Sequence, residues 1–140
     1  MSELLEKARS YEAKKIAATD KESKPLFHIS APAGWINDPN GFSVYNGKIH
    51  LFYQYYPYLR EWGPMHWGHS TTSDMIKWEQ LPCVLAPDEE YDKKGCFSGS
   101  AIEADGKHVL VYTGVTRIKL PDGSEQERQN QCIALSLIHI

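Results

Sequence analysis

The feature that most restricts the fold is a hairpin written twice. Asn46-Gly47-Lys48 and Asp105-Gly106-Lys107 lie 59 residues apart, and each joins two short runs rich in β-branched and aromatic residues. The first copy has Phe42-Ser-Val-Tyr45 and Lys48-Ile-His-Leu-Phe-Tyr53; the second has Gly99-Ser-Ala-Ile-Glu103 and Lys107-His-Val-Leu-Val-Tyr112. Asn-Gly and Asp-Gly readily take positive φ at both central positions of a type I′ turn, so each predicts a tight hairpin. The same offset lays Tyr53 on Tyr112. A third strand is expected from about His66 to Thr72. A fourth, after the Ser73-Asp74-Met75 turn, should include Lys77-Trp78-Glu79-Gln80, and in the second copy Gln129 to about Ser136 takes the place of the third strand. The fold class is therefore all-β, and a four-stranded unit at a fixed period suggests propeller blades, the second cut short before its last strand. Two unrelated hairpins in a sandwich are the alternative.

A blade packs against its neighbours around a ring, and only closure removes the exposed edges, so one and a half blades should be unstable alone. The apolar tail Leu135-Ser-Leu-Ile-His-Ile140 stops where a turn and another strand are due. The chain thus reads as a fragment, with the origin of its last few residues left open. Ahead of the strands, Met1 to about Lys24 is charge-rich, and Leu4, Ala8 and Tyr11 fall on one helical face. Residues 1–25 are read as a short helical extension lying on a larger body and ended by Pro25. Residues 26–140 are read as the truncated propeller part.

Eighteen acidic against fifteen basic side chains give a net charge of -3. No basic block could neutralise a run of phosphates, which sets nucleic acid aside as a partner. The first twenty residues carry Glu3, Glu6, Lys7, Arg9, Glu12, Lys14 and Lys15, so no apolar run is present there to act as a signal peptide, and no membrane span is expected. Cys83, Cys96 and Cys132 are an odd number without zinc-ribbon spacing, as expected for reduced thiols in a cytoplasmic protein.

Two constellations carry chemistry. In Gly34-Trp-Ile-Asn-Asp-Pro-Asn-Gly41, the ring of Pro39 drives Asp38 towards extended geometry, orienting a carboxylate by covalent constraint as a nucleophile requires. The bland reading is an Asx-Pro turn followed by a second turn at Asn40-Gly41. Then come Gln54, Tyr55, Tyr56, Tyr58, Trp62, Trp67 and His69 in a stretch broken by Pro57, Gly63 and Pro64. Read as a loop, it offers either a stacking platform for a sugar ring or a satellite core. His66 and His69 invite a metal, but their spacing on a strand puts them on opposite faces, and no metal site is expected. Ser98 is not centred in Gly-x-Ser-x-Gly, and no phosphate-cradling loop is present. Asp88, Glu89, Glu90 and Asp92 are read as a solvated loop.

Together, Trp35-Ile-Asn-Asp-Pro-Asn-Gly41, Phe52-Tyr-Gln54, Trp62-Gly-Pro-Met-His-Trp-Gly-His69, Lys77-Trp78 and Cys96-Phe-Ser-Gly-Ser100 resemble the invertase and sucrose-6-phosphate hydrolase family, glycoside hydrolase family 32. The resemblance implies a five-bladed propeller followed by a β-sandwich domain absent from this sequence. It also implies retaining hydrolysis of the β-fructofuranosyl bond of sucrose or sucrose 6-phosphate, without a cofactor. Asp38 matches the nucleophile, and Trp35, Ile36, Asn37, Gln54, Trp62, Phe97 and Ser98 match positions lining the fructose subsite. The acid/base, a Glu of a later blade, and an Arg-Asp-Pro segment find no counterpart, so the 140 residues alone are expected to be inactive. A fructan hydrolase, a transfructosylase and a non-catalytic sugar-binding propeller remain the rival readings.

Overall fold

The computed structural model describes residues 2–20, 22, 24, 25 and 27–136. Among them are one helix, α1 (Glu3–Ala18), and seven strands, β1 (Trp35–Tyr45), β2 (Lys48–Tyr56), β3 (His66–Thr72), β4 (Glu79–Leu85), β5 (Gly95–Ala104), β6 (Lys107–Lys119) and β7 (Glu125–Ser136). The strands form two antiparallel sheets, β1-β2-β3-β4 and β5-β6-β7. These are one whole blade and three strands of a second, the partial propeller the repeat implies.

Both predicted hairpins form with the expected turn. Asn46 and Gly47 have φ of 47° and 72°, and Asp105 and Gly106 have 51° and 70°. The third strand occupies the predicted residues. The fourth begins at Glu79, not Lys77, because the Asp74 carboxylate accepts the backbone N–H of Ile76 and Lys77 at 2.9 and 2.8 Å and holds them in a turn. β7 starts four residues before the reading, since the β6–β7 ladder runs out to Lys119 opposite Glu125 through polar residues without alternation.

The side chains of β2 alternate between two cores, as a period of two requires. Phe52 joins Trp67, Cys96, Leu110, Tyr112 and Cys132 between the blades. Tyr53 and Tyr55 turn the other way and pack with Cys83 and with Ala8 of α1. Blade 1 is therefore covered on both faces, and every residue of β3 is buried.

α1 buries a different face from the one the periodicity suggests. Leu4 is exposed, while Leu5, Ala8 and Glu12 face blade 1 and Tyr11 donates to the Tyr58 carbonyl at 3.2 Å. The reason is polar: Arg9 Nε donates to the Cys83 carbonyl at 2.8 Å and the Glu12 carboxylate accepts the Cys83 N–H at 3.1 Å. Two side chains thereby satisfy the outer backbone groups of edge strand β4. The helix also ends at Ala18, well before Pro25, where Thr19 caps it by bonding to Ile16 O and Lys15 O. The Asp88–Asp92 cluster is not wholly solvated either. Asp92 is 1% exposed and accepts from Tyr112 Oη at 2.7 Å and from the Glu89 N–H at 2.8 Å, which pins the β4–β5 loop. All three cysteines are buried free thiols. No helix among the described residues is long and apolar enough to cross a membrane. Residues 137–140, most of the apolar tail, lie outside the described residues.

Candidate active site

Asp38 sits on a β-bulge. Ile36 lies opposite Tyr55 and Pro39 opposite Tyr53, so Asn37 and Asp38 together face the single residue Gln54. An extra residue bends a strand and re-aims its side chains, and here Asp38 is exposed at the bulge together with the adjacent Pro39. Pro39 is tolerated because β1 is an edge strand within its sheet and can lack one N–H. Asn37 is half-buried; its Oδ1 accepts from Trp35 Nε1 at 2.8 Å, which ties the two motif side chains together.

A second bulge lies on β5. Phe97 is opposite Thr113 and Gly99 opposite Tyr112, so Ser98 is the extra residue, and it is exposed. Gly99 must be glycine there, because a Cβ would lie 2.0 Å from the Val111 carbonyl oxygen. Blade 1 holds this strand by its backbone. Gln54 Nε2 donates to Cys96 O at 3.0 Å, Trp67 Nε1 donates to Phe97 O at 3.1 Å, and the Cys96 N–H donates to Met65 O at 2.8 Å. Asn40 Oδ1 accepts the Gly99 N–H at 3.3 Å.

The aromatic stretch is less of a platform than its composition suggests. β2 continues to Tyr56 and β3 starts at His66, so only the residues between them form a loop. Phe52, Tyr53, Tyr55 and Trp67 are core. What stays accessible is Trp62, 57% exposed, edge-to-face with half-buried Phe97 at 6.1 Å between centroids. A single aromatic corner is thus built from both blades beside the Ser98 bulge.

Residues 28–139 match the model of the N-terminal domain of the family 32 glycosyl hydrolases. The chain belongs to glycoside hydrolase family 32. It is 49% identical over 112 residues to the sucrose-6-phosphate hydrolase of Escherichia coli, which covers 80% of this chain and 24% of that protein. It is 48% identical over 135 residues to the levanase of Bacillus subtilis, covering 95% of this chain and 20% of the levanase. A mutant of the family 32 β-fructofuranosidase of Bombyx mori, solved in complex with sucrose, superposes with a TM-score of 0.75 at 44% identity, over 92% of this chain and 27% of that one. The chain therefore spans about a quarter of the length of these relatives.

Within this family 32 chain, the eight residues expected at the site come from one region but not in one role. Asp38, Ser98 and Trp62 are exposed; Trp35, Asn37 and Phe97 are half-buried. Ile36 packs with the Tyr53–Tyr55 core, and Gln54, 3% exposed, spends its amide N–H on Cys96. Trp67, 0% exposed, spends its indole N–H on Phe97. Asn40, part of the Trp35–Gly41 motif but given no site role from sequence, bonds across to the second blade at Gly99. That bond spans 59 residues and ends on a backbone N–H, which no residue type in the sequence marks. His66 donates to Pro64 O, and His69 joins His50 and His108 in a buried cluster. Among the described residues no group of three or more His, Cys, Asp or Glu is arranged to hold a metal ion.

Proposed function

We propose that the protein containing this chain hydrolyses the β-fructofuranosyl bond of sucrose or sucrose 6-phosphate, with Asp38 as its nucleophile. The observation that carries the reading is an exposed carboxylate on a bulge opposite Gln54, in a family 32 chain whose relatives include a sucrose-6-phosphate hydrolase. Retention needs two carboxyl groups about 5 Å apart, one ionised and one protonated. Asp38 attacks the anomeric carbon of the fructosyl unit and forms an ester as the glycosidic C–O bond breaks. The leaving oxygen takes its proton from the second carboxyl group, which the family resemblance assigns to a Glu of a later blade. Water, deprotonated by that same group, then cleaves the ester. Trp62 and Phe97 would stack on the apolar side of the sugar, with Trp35, Asn37 and Ser98 supplying polar contacts.

In this reading residues 1–25 are a helical extension and residues 26–140 the opening of the propeller. The three buried free thiols favour a reducing, cytoplasmic setting. In the full-length protein, Asp38→Asn is expected to lower kcat on the order of 10⁴-fold or more, and a mechanism-based fructosyl label should map to Asp38. Near-normal turnover, or a label on another side chain, sinks the assignment. A second reading, fructan hydrolysis, is favoured by the similarity to a levanase. Product analysis on sucrose, sucrose 6-phosphate and levan separates the two.

A further inference from the structure

We propose that Asn40 is a positioning residue that sets the spacing between Asp38 of the first blade and the Phe97–Ser98 bulge of the second. The inference rests on the catalytic reading of Asp38. Asn40 is 5% exposed, two residues beyond Asp38, and pairs with Phe52 in the β1–β2 ladder. Its Oδ1 takes the Gly99 N–H at 3.3 Å, while its Nδ2 is buried with no partner among the described residues. The amide is thus placed for one bond, and that bond crosses the gap between blades.

The acceptor meets the backbone directly after the bulge, where the regular ladder is interrupted and an N–H is left to another acceptor. Around it, the blades are too close for ordinary side chains. Gly41 has φ of 52°, and a Cβ there would lie 2.7 Å from the Phe52 ring and 3.0 Å from the Ala101 Cβ. Position 41 brings bare backbone up against Ala101, and the Asn40 amide adds the directional bond that fixes where Gly99 sits. Asn40 meets Gly99 and Gly41 meets Ala101, so β1 and β5 run the same way, and Asp38 and Phe97 take corresponding places. Gln54 and Trp67 fix the two carbonyls of this stretch, and Asn40 fixes the N–H. Ser98 is exposed between those anchors, so its position relative to Asp38 follows from them. A misplacement of about 1 Å at a reacting centre can cost on the order of 10²-fold in rate.

The test is a double-mutant cycle in the full-length enzyme with sucrose as substrate. Asn40→Ala should lower kcat/KM about 10²-fold, and Asn40→Asp, which keeps an oxygen acceptor, should restore most of the loss. Combining Asn40→Ala with Ser98→Ala should cost no more than the worse single change, because the first already misplaces what the second removes. Multiplicative losses, or wild-type turnover by Asn40→Ala, overturn the proposal. Where Asn40→Ala shows no cooperative melting, Asn40→Ser, whose hydroxyl is too short to reach Gly99, takes its place in the cycle. Asp38→Asn run alongside separates the two ideas. If it stays active, the catalytic reading fails; if it is dead while the cycle is multiplicative, only the positioning role fails.

Discussion

His69 shows how a single buried group ties stability to pH. His50 Nε2 lies 3.2 Å from the Tyr45 carbonyl and must donate, so His50 Nδ1 accepts from His69 Nε2 at 2.9 Å. The orphan left over is the His69 Nδ1 lone pair. Ser43 gives its proton to the Gly41 carbonyl, so His108 Nε2, 2.9 Å away, donates to the Ser43 oxygen. Each of these bonds is met by a neutral ring. Burial, with the neighbouring His50 and His108, pushes His69 down to about 3, and burial with the neighbouring His50 pushes His108 down to about 4; His50 is lowered by burial, with Lys48 acting in the same sense. A depressed histidine contributes its stability above the unfolded value near 6.5 and loses it as pH falls towards the folded value, at about 1.4 kcal/mol per pH unit per group. Unfolding free energy of the full-length protein should therefore decline from pH 6.5 to 4.5. In His108→Gln, whose amide can still donate to Ser43, that decline should be shallower by about one such increment. Equal slopes in denaturant melts would exclude the cluster as the cause. At this scale the legible signal is local: Pro39 favours extended backbone at Asp38, and Asp38 lies in strand β1. The bonds of Gln54, Trp67 and Asn40 were not legible, because their partners are backbone atoms 42, 30 and 59 residues away, which side-chain type does not encode.

At the scale of elements, the hairpins were legible because φ > 0 at Asn-Gly and Asp-Gly is a property of the dipeptide. The docking of α1 was not, because it turns on a charged residue. Glu12 is 3% exposed, its Oε2 bonds the Cys83 N–H, and its Oε1 has no hydrogen-bond partner among the described residues. Burial pushes the Glu12 carboxyl above its ordinary range, against the opposing pull of the Cys83 amide and Arg9. A raised carboxyl disfavours the folded state once ionised, so this group costs stability above its unfolded pKa and ceases to do so as pH falls. Glu12→Gln keeps an acceptor for Cys83 and removes the charge. It should raise the Tm of the full-length protein at pH 7, with the gain shrinking towards pH 4, opposite in sign to the histidine effect. Glu12→Ala, which strands the Cys83 N–H, should lower stability by about 1–3 kcal/mol at either pH. A lower Tm for Glu12→Gln at neutral pH would show that the ionised form is the stabilising one.

At the scale of the whole molecule, the repeat fixes what the second blade presents outward. Along β6 and β7, Leu110, Tyr112 and Cys132 turn into the core, and the alternate positions turn away. There Ile102 pairs with Val109, Val109 with Leu135, and Val111 with Ile133. Ile102, Ile133 and Leu135 are 61%, 67% and 51% exposed, an apolar face with nothing described against it. Such a face is ordinary in a blade, since each needs a neighbour to bury its second side. The same residues should therefore act with opposite sign in two contexts. The isolated 140-residue chain should self-associate in size-exclusion runs and bind a hydrophobic dye, and Ile133→Lys with Leu135→Lys should reduce both. In the full-length protein, where a following blade would cover the face, that pair should lower the Tm, because it places two charges in an apolar interface. A monomeric, dye-silent fragment together with a tolerant full-length protein would mean that this face meets no blade, and the order of the ring would need a different solution.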